Sequence, residues 1–131
     1  MAYATTLARP EATYRRIDLA GRTATADGPA LVQLLYEELI AALRAAASAA
    51  EQRRFEIKSE RVTRATAILF ALEAGLDFAA GGAVSETLAR LYAGARARVV
   101  GAAMGNDPAP FRGLAAELGE IAEAWRTARA G

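Results

Sequence analysis

Glu73 and Asp77 stand four positions apart, and Glu117 and Glu120 three apart, so on a helix each pair shares one face. Two carboxylates placed that way can pass a proton or hold a hard cation. Neither pair has the company such work needs. The chain contains no histidine and no cysteine. Serine–histidine triads, the Glu-x-x-His ligands of di-iron bundles, thiolate nucleophiles and thiolate zinc sites are therefore excluded. No phosphate-type glycine-rich loop adjoins either pair, and without histidine they read as a solvated surface. Tyr36 and Tyr92 carry acidic hydroxyls, but a tyrosine on a helix is usually a core-edge residue with a wet tip. Gly81-Gly82 follows a helical stripe rather than a strand and lacks the spacing of a dinucleotide or Walker loop, so it reads as a turn. The sequence assigns no catalytic residue, metal or cofactor, and the chain reads as not an enzyme.

The elements that would position these residues follow from composition. At 131 residues the chain fits one domain. It is 53% hydrophobic, with many alanines, and 7% aromatic, a composition that favours helices packed on helices. Formal net charge is +1. Arg53 and Arg54 lie near Glu51 and Glu56, and Arg61 and Arg64 near Glu60, so no basic stripe exists to neutralise phosphates and no nucleic acid is expected as partner. No uncharged apolar stretch, Ala65 to Leu72 included, approaches the roughly 18 residues that suggest a membrane span. The N-terminus shows no basic region followed by an apolar stretch and cleavage site, and the expectation is a cytoplasmic protein without membrane insertion.

Residues 1–26 show no sustained helical stripe and read as a flexible N-terminal arm, with Tyr14 to Leu19 able to form a short helical turn. Residues 27–131 read as a four-helix bundle. Asp27-Gly28-Pro29 is a cap followed by a proline, and opens a first helix running to about Ala50 with the row Leu31, Leu35, Leu39, Leu43. After the polar Glu51 to Arg54 comes a second helix with Val62, Ala65, Leu69, Leu72 and Leu76 at alternating spacings of three and four, ended by Gly81-Gly82. The third helix starts near Ala83 or Val84, carries Val84, Leu88, Leu91, Ala95 and Val99, and stops at Gly105-Asn106. Asp107-Pro108 opens the fourth, with Phe111, Leu114, Leu118, Ile121 and Trp125. Short links imply antiparallel neighbours, and the all-α architecture that buries all four stripes is an up-down-up-down bundle.

Two features exceed what such a bundle needs. Leu34, Tyr36, Ile40, Ile68, Phe70 and Phe78 widen the stripes, either as a fuller core or as a groove for an amphipathic partner. Gly75, Gly94, Gly101, Gly113 and Gly119 fall in predicted helices, each costing about 1 kcal/mol against alanine. They either permit close helix approach or leave a loose protein that a partner stabilises.

The order of these signals resembles the flagellar secretion chaperone FliS family. Tyr14 precedes the run Pro29 to Tyr36. The second helix reads Ala65-Thr66-Ala67-Ile68-Leu69-Phe70-Ala71-Leu72, then Gly75-Leu76-Asp77 and Gly81-Gly82. Leu88 to Tyr92, Gly105-Asn106-Asp107 and Ile121 to Trp125 follow in register. The resemblance implies an export chaperone that binds the C-terminal segment of flagellin, prevents premature polymerisation and assists its delivery to the flagellar export gate; some members also meet an anti-sigma factor. It implies that the arm, through Tyr14 and Ile17, occupies part of an empty groove lined by Leu34, Tyr36, Ile40, Ile68, Phe70, Leu76 and Tyr92. Gly94, where the family often has an aromatic, and Gly28, where a small polar residue is usual, depart from the pattern. The rival reading is a helical bundle that self-associates as a structural or adaptor protein.

Overall fold

The computed structural model describes residues 28–130. Four helices follow in order: α1 (Gly28–Glu51), α2 (Phe55–Ala74), α3 (Phe78–Ala103) and α4 (Ala109–Ala130). At 1.5 Å per residue the 24-residue α1 is about 36 Å long. Such rods joined by short links must run antiparallel. α1 packs against α2 and α4, and α2 against α3, while the α3–α4 seam is the thinnest of the four. No strand occurs among the described residues, and the all-α four-helix architecture is the one the periodicity requires.

The leucine row of α1 is the spine of the core. Leu31, Leu35, Leu39 and Leu43 are buried, with Ala46, Ala47 and Ala50 extending the contact where α2 approaches. From α2 come Ala65, Ile68, Leu69 and Leu72, and from α4 Phe111, Leu114, Ala115, Leu118 and Ala122. α3 contributes least: Tyr92, Ala95 and Val99. Its outward face is correspondingly bare.

The ends of the helices are chemically marked. α1 closes on a Schellman arrangement, in which the Arg54 amide donates to Ala49 O (2.8 Å) and the Arg53 amide to Ala50 O (3.2 Å). The residue that must turn left-handed there is Arg53, at φ 58°. Asp107 accepts from the Ala109 amide (2.9 Å), as the cap-plus-proline signal predicts. Asp27 and the arm, residues 1–26, lie outside the described residues.

The second helix ends earlier than its sequence suggests. α2 stops at Ala74, with Gly75 closing it through a bond to Ala71 O (3.0 Å). Asp77 then caps a new turn by accepting from the Ala80 amide (3.0 Å). Gly81-Gly82 therefore does not end the second helix; it breaks the start of α3. Gly82 has φ 49° and ψ −123°, a backbone that resets the direction after one turn. Gly81 is needed for space, because a Cβ there would collide with the Ser85 hydroxyl, itself bonded to Asp77 O (2.9 Å). Beyond this kink, α3 runs regularly from Ala83, the start its pattern indicates.

Candidate functional site

Three of the four paired carboxylates have structural partners. Glu73 is bound to Arg96 of α3 (2.5 Å), and Asp77 is spent on its cap. Glu117 meets Arg98 through two hydrogen bonds (3.0 and 2.7 Å), tying α4 to α3 across the thin seam. The Arg98 guanidinium holds the Glu117 carboxyl below its usual value, chiefly through that hydrogen bonding. The carboxylate is therefore charged at neutral pH, and the bond is lost only as pH falls through its lowered pKa. Among the described residues no cluster of acidic side chains could hold a metal ion.

The residues expected to line a groove divide into three groups. Tyr36, Ile68 and Tyr92 are sealed in the core. The Tyr36 and Tyr92 hydroxyls share a 2.6 Å hydrogen bond, and the Tyr36 ring lies 4.8 Å from that of Trp125, so Tyr36 ties α1 to α3 and α4. Leu34, Ile40 and Leu76 are half-buried. Phe70 stands out from α2 at 56% exposure, with the Arg96 guanidinium 4.1 Å over its ring. Tyr14 and Ile17 lie outside the described residues.

The apolar surface that the core does not absorb lies largely on other side chains. Phe78 and Val84 are exposed at the kinked start of α3, Val84 at 66%. Phe55, Ile57 and Met104 are exposed at the opposite end, where α2 begins and α3 ends. A stripe argument gives no reason to single out Phe55, Ile57 or Met104, because each belongs to a helix end rather than a row.

Shallow hollows accompany these side chains from one end of the bundle to the other. One, of about 280 Å³, is lined by Pro29, Val32, Gln33, Trp125 and Ala128 where α1 begins and α4 ends. A second between the same helices, about 310 Å³, is lined by Ile40, Ala41, Gly119 and Ala122 together with the charged Glu37, Arg44 and Arg126. A third, about 240 Å³, lies along Ala83, Val84, Thr87 and Leu88 on α3, and a fourth, about 420 Å³, beside Phe55 and Ile57. None is an enclosed chamber for a small substrate. Together they suit a long polypeptide that touches the bundle at separated points.

The family model described as "Flagellar protein FliS" matches residues 10–131, nearly the whole chain. The chain belongs to the FliS family. It is also similar to the flagellar secretion chaperone FliSB of Pseudomonas aeruginosa, 29% identical over 112 residues that cover 86% of this chain and 89% of the relative. Membership makes this a chaperone-type flagellar protein and not an enzyme, in keeping with acidic residues engaged in caps and ion pairs. No helix among the described residues is long and apolar enough to cross a membrane.

Proposed function

We propose that this FliS-family protein is a cytoplasmic export chaperone for flagellin. It binds the client's C-terminal segment, keeps that segment from polymerising and accompanies it to the flagellar export gate. The observation that carries this reading is the distribution of shallow hollows along the whole bundle rather than in one pocket, each with apolar side chains in its lining and two of them with charged residues as well. A flexible segment pays an ordering cost on binding, which a long apolar interface offsets. Of the expected lining, Phe70, Leu34, Ile40 and Leu76 are reachable from outside; Tyr36, Ile68 and Tyr92 support the surface from within. Tyr14 and Ile17 belong to the same proposal as the part of the arm that competes for the groove, and an anti-sigma factor is a further partner in this reading.

The test is co-purification of the full chain with the host's flagellin, intact and lacking its last helix. A one-to-one complex on size exclusion with the intact client alone is the expected outcome. A stable homodimer unchanged by flagellin would instead establish the self-associating bundle. Gly119→Leu sharpens the experiment. A Cβ at Gly119 meets nothing, so the new side chain enters the second hollow without disturbing the core. The variant should be at least as stable as the parent and bind flagellin more weakly.

A further inference from the structure

Gln33 breaks the rule that α1 otherwise keeps. It is only 9% exposed, yet among the described residues neither Nε2 nor Oε1 has a hydrogen-bond partner, and both are withdrawn from water. Buried polar groups in folded proteins are almost always paired, because water lost without replacement is costly. Leucine or methionine would fill this position at no such penalty. An unpaired carboxamide retained in a leucine-rich helix points to a partner that completes it.

The surroundings restrict what that partner is. Gln33 lines the hollow formed with Pro29, Val32, Trp125 and Ala128, none of which is charged. Among the described residues that line it, an ionic ligand would find no counter-charge. The carboxamide offers a donor and an acceptor side by side. Its natural complement is a main-chain residue whose own N–H and C=O point to the same side, as they do in extended backbone. Inside a helix both of those are already used within the helix itself. The complementary peptide must therefore come from an extended stretch.

We infer that Gln33 and this hollow receive a non-helical stretch of the flagellin client: the main-chain N–H and C=O of one of its residues pair with the Gln33 amide, and a neighbouring apolar side chain fills the space between Val32 and Trp125. The inference rests on the flagellin reading above and adds the residue that grips the client's main chain. The amide is withdrawn from the surface, so the lining of the hollow must yield for the chain to reach it. The site then serves as a clamp between helical parts of the client, indifferent to side-chain identity except at the one position that enters the hollow.

Two measurements on the full-length protein test this, with the C-terminal segment of the host flagellin as probe. In the first, the side-chain amide signals of Gln33 are followed by NMR. They are expected to shift downfield and gain protection from solvent exchange when the segment is added. In the second, Gln33→Met is expected to melt at a higher temperature than the parent when free and to bind the segment more weakly by about ten-fold or more, the loss of two hydrogen bonds of ordinary strength. Equal affinity of Q33M and parent overturns the inference. So does an amide signal that the segment leaves unchanged, including one already bonded in the free chain, which would make residues 1–27 the occupant. Failure of the parent itself to bind flagellin is a different result; it removes the flagellin reading, and this inference with it.

Discussion

Two residues at the helix ends show how local chemistry departs from the sequence pattern and can be tested singly. Arg53 holds the left-handed position of the Schellman turn, where an L-residue with a Cβ loses roughly 1–2 kcal/mol. Arg53→Gly should therefore stabilise the chain by about 1 kcal/mol and raise the thermal midpoint by a few degrees. The gain should be slightly less than the backbone term, because Arg53 also lies 5.3 Å from the Phe55 ring. Lys58 is the opposite case. It is the single lysine in a chain that otherwise uses arginine, and it is buried, at 8% exposure. Its Nζ donates to Ala103 O (3.1 Å) and Gly105 O (2.9 Å), closing the carbonyl end of α3 from the first turns of α2. A compact ammonium fits between two carbonyls where a planar guanidinium does not. Lys58→Met should cost about 1.5–3 kcal/mol, the range for hydrogen bonds to a charged group, and a urea melt with unchanged slope would show it. Neither role is visible in the sequence. Arg53 lacks the glycine that announces such a turn, and the carbonyls that Lys58 meets are more than forty positions away.

At the scale of the helices, legibility followed the chemistry of the caps. The start of α4 was readable because Asp107 and Pro108 advertise it locally, and the regular part of α3 because Val84, Leu88, Leu91, Ala95 and Val99 keep one period. The end of α2 was obscured by a stronger neighbouring signal. Gly75 and Asp77 close one helix and cap the next, but Gly81-Gly82 looks more like a terminus and proves to be a kink whose two glycines serve different needs, space and backbone direction. The glycines inside the helices resolve more sharply. A Cβ at Gly94, Gly101 or Gly113 would meet nothing, so close helix approach is not their purpose. They leave intrinsic helix stability unused. Replacing all three by alanine should raise unfolding free energy by about 2–3 kcal/mol, additively because the sites share no partners, as a denaturant series on single and triple variants would show. A smaller gain would place residual structure in the unfolded state rather than a clash in the folded one.

For the whole molecule, the division between core and client surface is what a sequence read alone could not make. Helical periodicity places Tyr36, Ile68, Phe70 and Tyr92 on or beside stripes, but a stripe has no mark for its outer edge. Tyr36 and Tyr92 are interior because their hydroxyls satisfy each other across 56 positions, a solution no local pattern records. Phe70 is outside because Ile68 and Leu69 already fill the α2 share of the core. This partition predicts two classes of variant. Ile68→Ala empties a fully buried site and should cost 2–5 kcal/mol of stability, about the range for such truncations, and flagellin binding should fall only as far as the folded population does. Val84→Asp and Phe70→Asp alter exposed positions and should leave stability within about 1 kcal/mol, Phe70 losing in addition its contact with Arg96. Val84→Asp should nevertheless weaken the complex by roughly ten-fold or more if the client covers that part of the bundle, since a buried carboxylate has no counter-charge in an apolar interface. Phe70→Asp should weaken it less, because Arg96 stands over that position as a counter-charge. Thermal melts and titration calorimetry on the same preparations separate the two effects. Aspartate variants that bind as tightly as the parent would place the client elsewhere, on the α1–α4 hollows alone, and Gly119→Leu would then be the variant that abolishes binding.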